Sequence, residues 1–268
     1  MKNIVKSAIK FISFFLGWAI LCAFLPLSSS DRPAYWRLWA EITPLLAIII
    51  FTAIFWLLEK RSVKLNLFCN TAKGMVVGCV FGVLWLGVAV AVMLLIGVLR
   101  FESINAVSDL PVWMTAAFLN VIMQEMLVRG YLYQMLKQKH NVVLAITLTT
   151  GLFVALHSGA FEAGFIPVMN VLTMSLLMTV ILEYTGSLVT PIIIHFVWNG
   201  IGAIILGGVS LAADYPHLLN TVLYGHDLLS GGSCKIEGSI VVLVINAALI
   251  MFFCNLLRKK DLTTFNGG

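Results

Sequence analysis

The run MVVGCVFGVLWLGVAVAVMLLIGVL, residues 75–99, holds no charged side chain and no side-chain amide. A helix rising about 1.5 Å per residue needs about 20 apolar residues to cross the hydrocarbon of a bilayer, so this run reads as a transmembrane helix. Working outward, seven more segments qualify or nearly qualify. Phe11 to Leu27 and Leu38 to Leu58 precede it. Val112 to Leu136, Val142 to His157, Ile166 to Tyr184, Thr190 to Leu206 and Ser239 to Leu257 follow it, the second and fourth of these being short. The fold class expected is all-α, a polytopic transmembrane helical bundle of about eight spans. Composition agrees. The 268 residues are 60% hydrophobic and 11% charged, with a mean hydropathy of +1.01, against about 25% charged residues in soluble domains.

The formal charge of +5 is not a nucleic-acid signal, because Lys and Arg gather in short clusters beside apolar runs, as the positive-inside rule requires. Lys2, Lys6 and Lys10, then Lys60, Arg61, Lys64 and Lys73, then Lys137 and Lys139, then Arg258, Lys259 and Lys260 all fall on one side. They outnumber Arg32, Arg37, Arg100 and Lys235 on the other by about three to one. That places both termini in the cytoplasm, with residues 207–238 outside. His217 and His226 in that loop, beside Asp214 and Asp227, are expected to be solvated side chains. The N-terminal lysines before an apolar run also fit a signal peptide. The length of the run and the lack of a clear small-residue cleavage site favour a retained first helix. Five cysteines, Cys22, Cys69, Cys79, Cys234 and Cys254, form no CxxC pattern and no disulfide framework.

Polar residues inside the spans are the informative ones, because a charge near the bilayer centre costs a few kcal/mol unless it faces protein and has a partner. In the fourth span Glu125 and Arg129 are four residues apart, so they share a helical face and can pair. Gln124 points about 100° round the helix, alongside Asn120 and Tyr131. His157 closes the fifth span with Phe153 one turn earlier. His195 lies in the seventh, with Asn199 at i+4 and with Thr190 and Pro191 as N-cap and first-turn proline. At helical rise these groups sit about 8–24 Å above the cytoplasmic ends of their helices, depths that overlap once helix tilt is allowed for. A mutually neutralising Glu125–Arg129 pair that merely locks helix packing is the competing account.

The set lacks a nucleophile. Ser158 points away from His157, Ser175 and Ser187 have no neighbouring base in sequence, there is no GxSxG, and the spans carry no aspartate. Water chemistry remains. A carboxylate in a low-dielectric site serves as general base, and imidazole and amide groups stabilise a tetrahedral oxyanion, which together describe peptide-bond hydrolysis. No cofactor is expected. Zinc held by Glu125, His157 and His195 is a weaker alternative, since HExxH is absent and the three ligands lie on three helices.

In order and spacing, the motifs resemble those of the CPBP intramembrane proteases, which include type II CAAX prenyl endopeptidases and related bacterial membrane proteins. That family carries EExxxR, FxxxH and HxxxN on successive helices, matched here by Gln124-Glu125 through Arg129, Phe153 through His157, and His195 through Asn199. The resemblance implies three parts: residues 1–110 as three N-terminal spans, 111–207 as a four-span catalytic core, and 208–268 as an extracytoplasmic loop and last span. It implies an intramembrane endopeptidase in a cell membrane, of bacterial plasma-membrane type, whose partners are the lipid bilayer and a membrane-associated peptide or protein. Glu125 would be the base, Arg129 would position it, His157 would orient water or shuttle a proton, and His195 with Asn199 would form the oxyanion site. One departure matters: the family's first glutamate, usually assigned as the water-activating base, is Gln124 here, and an amide takes no proton at neutral pH. A proteolytically impaired member acting in membrane binding, bacteriocin immunity or envelope function is the alternative. A proton-relay transporter is disfavoured, since no inverted repeat is visible.

Overall fold

A computed structural model describes residues 2–25 and 30–266. Helices dominate: α1 (Lys2–Phe24), α2 (Pro33–Leu58), α3 (Thr71–Leu95), α4 (Leu110–Glu125), α5 (Tyr131–Lys139), α6 (Val142–Ala155), α7 (Ser158–Ala163), α8 (Phe165–Thr185), α9 (Val189–Phe196), α10 (Asp227–Ser230) and α11 (Ile240–Asn266). Among the described residues six helices are long and apolar enough to cross a membrane: Asn3–Phe24, Pro33–Leu58, Thr71–Leu95, Leu110–Lys139, Phe165–Thr185 and Gly232–Lys260. Val142–Ala155 and Val189–Ile205 are shorter apolar helices, at the positions of the two short expected spans. The chain is thus an all-α, multi-pass membrane protein. Pro26 and Leu27, assigned above to the first span, lie outside the described residues.

Two units make up the fold, one formed by the chain through Leu67 together with Val107–Thr149, the other by Phe68–Ala106 together with the chain from Thr150 onward. In the first, α1, α2 and the α4–α5 segment pack on an aromatic cluster. Phe14, fully buried, stacks on Tyr131 at 5.1 Å and meets Phe55 edge-on at 5.3 Å. Trp18 Nε1 donates to the Pro44 carbonyl at 3.1 Å, tying α1 to α2 at the proline inside α2. At the helix ends Glu59 accepts from both Lys10 and Lys139.

In the second unit α3 runs against α9 along Gly74, Gly78 and Gly82. A Cβ at Gly78 would lie 2.8 Å from Ile193 Cβ, and one at Gly82 3.0 Å from Val197 Cβ, so hydrogen is the only side chain that permits this approach. Trp85 on α3 stacks on Trp198 with ring centres 4.0 Å apart.

Three expectations need correction. The third span ends at Leu95, not Leu99: Gly97 takes φ +77°, and paired bonds from Gly97 N to Leu94 O and Val98 N to Met93 O close the helix as a Schellman motif. The chain then enters strand β1 (Leu99–Ile104), which pairs antiparallel with β2 (Leu219–Leu223), Leu99 opposite Leu223. Part of the expected loop is therefore structured, and His226 caps α10 by accepting from Leu228 N at 3.2 Å. Finally, Thr190 is not an N-cap: α9 begins at Val189, and the Thr190 hydroxyl donates to Thr185 Oγ1 at 3.0 Å instead. All five cysteines are free.

Candidate active site

The first unit builds its polar centre on α4. Glu125 and Arg129 are both 0% exposed, and Arg129 Nη1 donates to Glu125 Oε2 at 2.8 Å. Two full charges without water are held only by close pairing, since removing either leaves an uncompensated ion. Directly after Glu125 the helix widens into a π-helical turn, Met126–Gly130, before α5 begins. The fourth span is therefore not the uninterrupted α-helix expected, and such turns concentrate at functional sites. Gln124 lies on the adjoining face, where its Nε2 donates to Asn120 Oδ1 at 2.5 Å. Gln124 Oε1 is buried with no hydrogen-bond partner among the described residues.

The second unit gathers the imidazoles. His157 follows the end of α6 with φ −103° and ψ 57°. Its Nδ1 lies 2.7 Å from the Phe153 carbonyl, which can only accept, so Nδ1 carries hydrogen. The Phe153 ring, 1% exposed, lies 4.3 Å from the His157 ring and 6.1 Å from the His195 ring, edge to face. One phenyl thus spaces both imidazoles. His195 is 1% exposed near the end of α9, and Asn199, also buried, sits in the π-helical segment Val197–Ile205 that continues it. Both candidate helices therefore change pitch next to their functional side chains.

Sequence reasoning missed two anchors. Glu237 accepts from Trp198 Nε1 at 3.0 Å and from Ser210 N at 3.2 Å, holding the helix of His195 three residues beyond that histidine. Asn170 Nδ2 donates to the carbonyls of Glu237 and Ser239 at 2.7 and 2.9 Å. The other is Glu41 on α2, 4% exposed, which accepts from Asn120 Nδ2 at 2.8 Å. An acidic residue in the expected second span, Leu38 to Leu58, which holds no other charged side chain, was the available signal. Ser175 Oγ lies 3.4 Å from Thr150 Oγ1, and Ser187 Oγ is buried with no hydrogen-bond partner among the described residues. Among the described residues no three His, Cys, Asp or Glu side chains are grouped to hold a metal ion.

Residues 106–201 match the family model described as type II CAAX prenyl endopeptidase Rce1-like. No curated protein matches the chain, and no solved structure does.

Proposed function

Taking the chain as carrying an Rce1-like protease domain over residues 106–201, we propose that it is an intramembrane endopeptidase that hydrolyses a peptide bond of a membrane-associated substrate with water activated by Glu125. The observation that carries the reading is that the matched segment encloses all three motifs, 124–129, 153–157 and 195–199. The fully buried Glu125–Arg129 pair supports it, because a desolvated carboxylate held in place is what general-base catalysis uses.

In this reading the water lies at Gln124 Oε1 and gives its proton to Glu125 while its oxygen attacks the scissile carbonyl carbon. Arg129 fixes the rotamer of Glu125. His195 and Asn199 donate to the carbonyl oxygen as it gains charge, and the retained proton passes to the departing amine as the carbon–nitrogen bond breaks, with His157 as the shuttle. No step needs a metal, and insensitivity of cleavage to chelators is expected. The Gln124 amide favours the second reading, a proteolytically impaired membrane protein that binds a partner or serves bacteriocin immunity or the envelope.

The test is cleavage of a membrane-tethered peptide by the full chain in lipid vesicles. Glu125→Gln should abolish turnover, and His195→Ala should lower kcat by about 10²–10³, the usual cost of an oxyanion donor. Variants as fast as the parent, or a parent that cleaves nothing, would sink the enzyme reading. Partner binding retained by non-cleaving variants would support the second.

A further inference from the structure

Gln124 is the last member of a hydrogen-bonded chain that starts on another helix. Arg37 Nη1 donates to Glu41 Oε1 at 3.2 Å, Asn120 Nδ2 donates to Glu41 Oε2 at 2.8 Å, and Gln124 Nε2 donates to Asn120 Oδ1 at 2.5 Å. The far end, Gln124 Oε1, is buried and has no hydrogen-bond partner among the described residues. All four residues belong to the first unit.

The direction of every bond in the chain follows from Glu41. The oxygen and nitrogen of a side-chain amide have nearly the same shape, so only their partners decide which way the group faces. A carboxylate paired with a guanidinium offers acceptors alone, so Asn120 must turn its NH₂ to Glu41. Its oxygen then faces Gln124, which must answer with its own NH₂. The carbonyl oxygen of Gln124 is what remains, pointing away from the chain. Reversing either amide would set two buried acceptors, or two buried donors, against each other.

We infer that Glu41 is a positioning residue for hydrolysis: through Asn120 it fixes the Gln124 amide with Oε1 presented to the attacking water. The inference rests on the hydrolytic reading above. A carboxylate at position 124 would accept from water through either oxygen and would have no direction to set. An amide at that position has one accepting end and one donating end, and an anion elsewhere must choose between them. Glu41 does so from α2, outside the residues matched to the family.

The prediction is a dependence between positions 41 and 124. In the parent, Glu41→Gln removes the fixed polarity, because an amide at 41 can donate or accept. Its kcat should fall roughly ten- to hundredfold, the scale of a misplaced reacting group, with KM little changed. Asn120→Leu cuts the link while keeping the Arg37–Glu41 pair, and should reproduce the loss. In the Gln124→Glu background, where the carboxylate has no direction to set, neither change should reproduce that loss of kcat. A purely structural role for Glu41 would slow both backgrounds equally, and that result would overturn the inference. A substrate-free readout separates it from the enzyme reading: the side-chain amide resonance of Gln124 in ¹⁵N-labelled full chain, identified by its loss in Gln124→Glu. Glu41→Gln should shift or double that resonance, and an unmoved resonance would contradict the inference. If it moves while neither parent nor Gln124→Glu cleaves, hydrolysis fails and the orientation of Gln124 by Glu41 stands.

Discussion

Glu125 and Arg129 show how much a single spacing can establish and where it stops. Their i,i+4 separation predicts pairing, and the 2.8 Å bond between fully buried groups is that pairing. Arg129→Ala should therefore destabilise the fold by about 3–5 kcal/mol, the cost of stranding a buried charge, read as a shift in thermal unfolding in detergent. The chain from Gln124 to Glu41 was half legible. Asn120 could be placed beside Gln124 by helical periodicity, but Glu41 lies 79 residues away in sequence from Asn120, and no periodicity reaches that far. At the helix ends Glu59 offers a pH test. Burial alone would raise its carboxyl, yet the ammonium groups of Lys10 and Lys139 hold it below the usual carboxylate value. A lowered folded-state pKa adds stability that is present above the unfolded value and lost as pH falls through the folded one. The parent should thus lose stability on acidification below the ordinary carboxylate range, and Glu59→Gln should lose less across the same window. An equal loss in both would remove Glu59 from the account.

Elements were legible wherever length and hydropathy decide them, because a 25-residue α3 of this composition has one environment available. Their local geometry was less so. The π-helical turns at Met126–Gly130 and Val197–Ile205 depend on packing, and neither hydropathy nor periodicity marks them. The β1–β2 pair joins residues about 120 apart, which no local pattern can announce. The stripe of Gly74, Gly78 and Gly82 is different: its small-xxx-small spacing stands in the sequence itself. Since a Cβ at Gly78 would meet Ile193 Cβ at 2.8 Å, Gly78→Ala should cost about 1–3 kcal/mol of stability by overpacking. It should also displace the helix that carries His195, lowering cleavage beyond what the stability loss explains. A variant with unchanged melting temperature would show that α3 and α9 do not depend on this close approach.

For the whole molecule, charge patterning sets the expected orientation and the motifs support the proposed function, and both are open to direct measurement. The orientation expected from charge patterning puts Cys234 on the outer face and Cys69 on the cytoplasmic face, so it predicts that a membrane-impermeant thiol reagent on intact cells labels Cys234 and spares Cys69. The opposite pattern would invert the topology. The most direct test of the central claim is the rate at which the full chain, reconstituted in vesicles, cleaves a membrane-tethered peptide, compared among the parent, Gln124→Glu, Glu125→Gln and the double variant. Water activated by Glu125 predicts measurable cleavage by the parent, an equal or greater rate with Gln124→Glu, and none once Glu125 is replaced in the parent. Cleavage that survives Glu125→Gln in the parent, or no cleavage by any of the four, would contradict it.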